Sequence, residues 1–269
     1  MKKSPKSRAS IQYHNRVARQ YDAIYDDAFW EFHDRLTWNS IRPHLPRDLA
    51  VRCCDLGCGT GKWGLKLLKT GLPTTFVDHS PAMIEQTRQN ISANAQKATL
   101  IVADIVDMPQ LAAAGFGLVM AMGDPLSICS DPARAAGEMF RICAPGGIVV
   151  ATADNKLAAL DHFLARGDLD ALQTFIKTSR TRWLTADKAE QFELTTFTPG
   201  TLRKLFEKTG FETISLIGKT ILPLRQHRQM LENPGEFARL LRLEEELSAD
   251  SSAAARAAHL QITARKPAP

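Results

Sequence analysis

The stretch Asp55-Leu-Gly-Cys-Gly-Thr-Gly61 constrains the fold of this chain more than any other. It continues an apolar, β-rich run, Val51-Arg-Cys-Cys-Asp55. It precedes Lys62 to Thr70, where apolar positions recur with a helical period and stop at Gly71. Glycines 57, 59 and 61 accept backbone conformations closed to other residues. They also let a ligand approach bare main chain at the start of a helix. A strand that becomes a helix through such a turn is the ligand-binding edge of an open α/β sheet. The same residues contain Gly59-Thr-Gly-Lys-Trp-Gly64, a literal GxGxxG, so the turn alone is equally compatible with a dinucleotide-binding fold.

The alternation continues downstream. Thr74 to Asp78 reads as a second strand, and Ser80-Pro81 opens a helix reaching about Ala95, with Ser as N-cap and Pro at the first helical position. Ala98 to Ala103 is a third strand ending at Asp104, and Phe116 to Met122 a fourth. Asp131-Pro132 caps a helix to about Cys143, and Pro145-Gly146-Gly147 turns the chain into a fifth strand, Ile148 to Ala153. These repeated βα units predict a doubly wound, Rossmann-like, mostly parallel sheet. The rhythm breaks after Asp154. Residues 154–197 are too long for a simple connection. Thr198-Pro199 starts a helix ended by Gly210, and Phe211 to Ile217 is a sixth strand. Residues 220–257 are mostly helical, and His259 to Ala264 alternates apolar and polar residues as a half-exposed closing strand does. The expected organisation is a helical N-terminal extension (1–50, with a basic tail over 1–19) and one domain (51–269) carrying insertions at about 154–197 and 220–257.

Composition limits the function classes. The 269 residues are 44% apolar and 23% charged, enough to bury a core without a disulfide or metal. No run approaches the roughly 18 apolar residues of a membrane span, and MKKSPKSRAS lacks the apolar segment of a secretion signal. Neither a membrane nor a secreted location is expected. Cys53, Cys54, Cys58, Cys129 and Cys143 form no disulfide framework or paired zinc pattern, which fits the cytoplasm. Seven scattered histidines offer no HExxH or i,i+4 pair, so no metal site is expected. Lys2, Lys3, Lys6, Arg8, Arg16 and Arg19 supply +6 of the net +5 before the first acid, Asp22, leaving −1 for the rest. A solvated basic tail on a near-neutral body is not the working face of a nucleic-acid enzyme.

Asp55 to Gly61 resembles the first motif of the class I S-adenosylmethionine-dependent methyltransferases, and the resemblance continues through residues 51–153 and 198–219. It implies a seven-stranded sheet with an antiparallel last strand, S-adenosylmethionine as cofactor, and a cofactor site of Asp55, Gly57, Gly59, Gly61, Asp78, His79, Met83, Asp104, Ile105 and Gly123. In the family the glycine turn packs on the methionine part of the cofactor, and the acid at its start lies near the amino group. Asp78 matches the acid that binds the ribose hydroxyls, within the frequent family phrase Val77-Asp-His-Ser-Pro-Ala-Met83, which puts Met83 under the adenine. Asp104 and Ile105 match the adenine-binding pair, and Gly117 to Gly123 the strand facing the reacting methyl. Elementary chemistry agrees with this assignment. A dinucleotide site uses one acid about 20 residues past its glycines, which leaves Asp55 and Asp104 without a role. An adenosyl ligand with an amino-acid tail presents an ammonium, two hydroxyls and an exocyclic amine, and three strand-end carboxylates can accept from them.

The fourth strand exits through Gly123-Asp124-Pro125-Leu126-Ser127, without the Asn/Asp-Pro-Pro-aromatic signature of base-amine methyltransferases. A small-molecule acceptor is expected, with no nucleic-acid or membrane partner. Asp124 either orients the acceptor or caps the following turn. All three tyrosines, Tyr13, Tyr21 and Tyr25, lie in the aromatic-rich extension, where related enzymes close the site. Tyr21 and Asp124 are the candidate catalytic residues, and Asp124, His79 or a tyrosine is available to remove a proton. Asp154, Asn155, Trp183, Phe192 and Phe197, with Arg225, His227 and Arg228, are the insertion residues to place. An RNA methyltransferase, a non-methylating user of the same cofactor, and a non-catalytic binding module are the alternatives.

Overall fold

The computed structural model describes residues 5–91, 95–182 and 191–268. Helices in chain order are α1 (Pro5–Val17), α2 (Tyr21–Ile24), α3 (Ala28–Ile41), α4 (Lys62–Lys69), α5 (Pro81–Asn90), α6 (Pro125–Ile128), α7 (Pro132–Ile142), α8 (Leu160–Ala165), α9 (Leu169–Thr178), α10 (Pro199–Thr209) and α11 (Pro234–Ser248). Strands are β1 (Cys53–Leu56), β2 (Thr74–Asp78), β3 (Ala98–Val102), β4 (Phe116–Ala121), β5 (Cys143–Asp154), β6 (Arg180–Arg182), β7 (Glu193–Thr195), β8 (Glu212–Lys219) and β9 (His259–Arg265).

Seven strands form one sheet in the order β3-β2-β1-β4-β5-β9-β8. β1 to β5 pair in parallel, and β9 runs antiparallel to both β5 and β8, so the closing strand is the one reversed strand of this sheet. The order turns back between β1 and β4. At such a switch point neighbouring connections leave on opposite faces and open a crevice beyond the strand ends. Every residue of β1 and β2 is buried, as expected for strands covered by helices on both faces. Met139, Ile142, Leu202 and Phe206 fill one face of the sheet, and Ile41, Trp63 and Leu67 the other.

The helix starts follow their capping residues. Ser80, Asp131 and Thr198 each accept from a first-turn backbone N–H, with Pro at the next position. Several boundaries differ from expectation, among them the start of β5, at Cys143 rather than Ile148. Helix α5 ends at Asn90 rather than Ala95. β8 runs on to Lys219, because its antiparallel pairing with β9 continues to the Lys219–His259 pair. The basic segment is helical from Pro5, where a solvated tail is expected, while Lys2 and Lys3 lie outside the described residues. Tyr13 and Val17, one turn apart on α1, make an apolar stripe that buries against Met83, Phe192 and Leu194. α3 is anchored likewise, its Phe29, Phe32 and Leu36 packing with Leu224, Leu231 and Phe237 of the second insertion. This docking places α1 to α3 above the crevice. Among the described residues, no helix is long and apolar enough to cross a membrane.

Candidate active site

A cavity of about 500 Å³ lies over the switch point. One end is the β1–α4 turn. Gly57 sits at φ +64°, and a Cβ there would come within 2.7 Å of Pro125, so only glycine lets this turn pack beneath α6. Asp78 ends β2 and clasps the turn: its Oδ2 accepts from Gly59 N at 2.9 Å and its Oδ1 from Ser80 N at 2.8 Å. A carboxylate offers about four acceptor positions, so Asp78 can also accept from ligand hydroxyls. The N-terminal segment locks over this end. Thr60 Oγ1 donates to Asp22 Oδ1 at 2.6 Å, and Ser80 Oγ donates to Asn15 Oδ1 at 2.6 Å.

Seven of the ten residues expected around the cofactor line the cavity: Gly57, Gly59, Asp78, His79, Asp104, Ile105 and Gly123. Three lie off its wall. Gly61 is the left-handed N-cap of α4, packed against Thr87 and Phe76. Met83 is wholly buried beside Tyr13 and Phe192, because α1 covers it. Asp55 sits beneath the turn, where its Oδ2 accepts from Gly64 N at 2.7 Å. Burial pushes the Asp55 carboxyl up to about 7, against the pull of the Gly64 N–H. Its Oδ1 has no hydrogen-bond partner among the described residues. Gly123 lines the cavity with no atom within 4 Å of the place a Cβ would occupy, so a side chain there would intrude on the ligand space.

The other end is a row of ionisable side chains laid across the sheet. Asp154 of β5 is the register partner of His259 of β9, and His259 is the partner of Lys219 of β8. Directly paired residues project to the same face, Cβ atoms about 5 Å apart. Asp124, just beyond β4, completes the row, and all four line the cavity. Asp124 occupies the left-handed N-cap position of α6 at φ +63° and makes no side-chain cap bond. Its side chain turns instead to His259, with Oδ2 and Nδ1 2.8 Å apart. Its N–H donates to Thr152 Oγ1 at 2.9 Å.

Electrostatics fix the protons of this row. Burial works against ionising Asp124, but the charge and hydrogen bond of His259, with the Lys219 charge, hold its carboxyl down at about 2. An ionised carboxylate only accepts, so His259 donates from Nδ1, and in its neutral form it keeps its lone pair on Nε2. Burial lowers the His259 pKa, and the neighbouring Asp124 charge more than offsets this, leaving it above the usual value. Burial, then the Asp124 charge, raises Asp154 to about 7. Lys219, 2% exposed, is lowered to about 8 by burial, with Asp124 and Asp34 pulling the other way. Its Nζ donates to Thr37 Oγ1 at 2.9 Å.

Rings from the N-terminal segment form the cavity wall between the two ends. Tyr21 contacts Tyr25 (centroids 5.1 Å apart), Tyr25 contacts Trp30 (4.9 Å), Trp30 contacts His33 (5.4 Å), and His33 contacts His259 (5.4 Å). Burial and the adjoining Tyr25 raise Tyr21 well above the usual phenol value, so its hydroxyl keeps its proton. Burial and then the Lys219 charge push His33 down to about 3, leaving a neutral ring. Its nitrogens have no hydrogen-bond partner among the described residues, the Asp34 carboxylate standing 3.7 Å from Nδ1.

The insertion residues divide between wall and scaffold. Asp154 and Arg225 line the cavity, Arg225 lying over Phe29 and Trp30. Asn155 is scaffold, its Nδ2 donating to the carbonyls of Ala255 and Ala257. Phe192 and Phe197 are buried anchors, Arg228 pairs with Asp27 at 2.7 Å, and Trp183 lies outside the described residues. Sequence reasoning missed His33, Lys219 and His259. Their place at strand ends, Lys219 last in β8 and His259 first in β9, is the signal that marks the last two.

Comparison with known proteins matches this architecture. Residues 53–147 match the family model described as a methyltransferase domain. A demethylmenaquinone methyltransferase of Staphylococcus aureus is 28% identical over 216 residues, covering 72% of this chain and 81% of the relative. One from Leptospira interrogans is 28% identical over 150 residues, covering 50% and 55%, so the chain spans about half the length of that relative. A solved S-adenosylmethionine-dependent methyltransferase of Methanosarcina mazei superposes with a TM-score of 0.61 at 18% identity, covering 86% of this chain and 98% of its own. These similarities support a class I S-adenosylmethionine-dependent methyltransferase with S-adenosylmethionine as its cofactor.

Proposed function

We propose that this protein methylates a small molecule whose nucleophile is an ionisable hydroxyl on an aromatic ring, or the ring carbon that such a hydroxyl activates. The observation that carries the reading is the Asp124–His259 pair beside Gly123, at the strand exit where the family brings its methyl group. The cofactor supplies an electrophilic methyl on a sulfonium, so the chain need only bind, orient and exclude water. The open space at Gly123 and the cavity-facing acids Asp78 and Asp104 fit that cofactor. Gly57 and Gly59 would admit its amino-acid tail, Asp78 its ribose hydroxyls, and Asp104 with Ile105 its adenine.

His259 then takes the acceptor proton on Nε2. Asp124 holds the ring in the tautomer that leaves Nε2 free and stabilises the imidazolium that results. Tyr25, Trp30 and His33 offer ring faces and edges to a flat acceptor, and the N-terminal segment caps it. Demethylmenaquinone, the acceptor in the relatives' names, enters this chemical class when its quinone is reduced to the hydroxylated ring. Asp124, Asp154 and His259 also bring ligand atoms within 4.8 Å of one another. The proton on His259 Nδ1 and the Lys219 ammonium in the same row favour proton transfer there over cation binding.

The experiment is incubation with S-adenosylmethionine and a panel of hydroxylated aromatics, among them a reduced naphthoquinone and a catechol, followed by product mass. Gain of one methyl by a hydroxylated aromatic is expected. Transfer only to amines, or to RNA, contradicts the reading.

A further inference from the structure

Lys219 is a buried cation whose bond to Thr37 uses only part of its donor capacity. It is 2% exposed, and its ammonium carries three protons. One is donated to Thr37 Oγ1, and among the described residues no carboxylate lies within 4.0 Å of it. A buried cation is costly unless something compensates it. The groups around it are already committed. Asp124 is bound to His259, Asp34 pairs with Lys62 at 2.8 Å, and burial favours the neutral form of Asp154. His33 is neutral, and Arg225 adds a second cation on the cavity wall with no ion pair among the described residues. Lys219 lines the cavity, in register beside His259.

We propose that Lys219 is the anion-recognition group of the acceptor subsite, binding the acceptor through the oxygen that becomes negative when His259 removes its proton. This rests on the reading given under Proposed function. The charges balance around the step. Before transfer Asp124 is −1 and Lys219 is +1. The O–H bond of the acceptor breaks, its proton goes to His259 Nε2, and the electron pair stays on oxygen. The site then holds a new imidazolium and a new oxyanion, still summing to zero. Without Lys219 the same step leaves Asp124, the imidazolium and the oxyanion at a net −1, with Arg225 as the remaining cation on the cavity wall. The acceptor class is therefore narrowed to phenols, enols and their vicinal diols, whose oxyanion Lys219 can reach. A neutral amine has no use for it.

The test uses 4-nitrocatechol, whose ionisation is visible in its absorbance, titrated with pH in complex with the protein and S-adenosylhomocysteine. In the wild type the bound probe should ionise about one pH unit or more below the free probe, as expected for a cation within about 4–6 Å of it. Lys219→Met should return that ionisation to the free value or above while leaving S-adenosylhomocysteine affinity within about twofold. Lys219→Gln serves as the second neutral variant if Met does not fold. An unshifted bound probe, a shift that survives both substitutions, or no binding of the probe overturns the proposal. Failure of the wild type to bind S-adenosylhomocysteine overturns the functional reading beneath it instead.

Discussion

At the glycine end of the cavity, Gly57, Gly59, Asp78, Asp104 and Ile105 come from one continuous stretch, residues 57–105, and each sits where a strand gives way to a turn. At the opposite end, His33, Asp124, Asp154, Lys219 and His259 come from five segments spread between residues 33 and 259. The first end is made by local backbone chemistry: bare glycines, and an aspartate whose two oxygens hold two main-chain N–H groups. The second is made by sheet register, which sets Asp154, His259 and Lys219 side by side on β5, β9 and β8. On the proposed reading, cofactor recognition is built into a motif, whereas the proton chemistry depends on topology. The two should fail independently.

The largest expected effect lies at the glycine end. Asp78→Ala removes the acceptor for Gly59 N and Ser80 N as well as for the ligand. S-adenosylhomocysteine affinity should fall by about 100-fold or more in calorimetry, with a stability loss of about 1–3 kcal/mol per orphaned N–H in denaturant melts. Retained affinity would break the comparison at its better-defined end. Next, His259→Gln should lower kcat by about 10² to 10⁴, the usual contribution of a positioned base, with cofactor affinity unchanged.

A subtler effect is expected from Asp124→Asn. The base must be deprotonated, so turnover should rise with pH through the His259 pKa, which Asp124 holds above 6.5. Removing that charge lowers the pKa, and the rising limb should move to lower pH. A limb that stays in place, or moves up, would show that Asp124 does not act through His259. The smallest effect should come from Tyr21→Phe. Burial favours the protonated form of that hydroxyl, which argues for His259 over Tyr21 as the base, and turnover should stay within about fivefold, the scale of one neutral hydrogen bond.

The contrast between the ends also explains what could be read from the chain. The turn, its acids and the strand order's consequences were legible because each depends on residues adjacent in sequence: a Ser-Pro or Asp-Pro cap, a glycine after a strand, an acid at a strand end. Asp55 and Met83 were legible as motif members but not in their surroundings, since the cover from α1 and the bond to Gly64 N are tertiary. Lys219 and His259 look like ordinary polar residues in alternating strands, and only the antiparallel register pairs them. The basic segment misled in the same way. Its charge suggests a solvated tail, whereas two residues one turn apart, Tyr13 and Val17, decide that it docks.

The most direct measurement is calorimetric titration of S-adenosylhomocysteine into the wild type, Asp78→Ala and His259→Gln, each first confirmed folded by its melting profile. Binding by the wild type and His259→Gln with equal affinity, and loss of binding by Asp78→Ala, is the predicted result. Loss of affinity in His259→Gln, or its survival in Asp78→Ala, would contradict the division of the cavity into a cofactor end and a proton-transfer end.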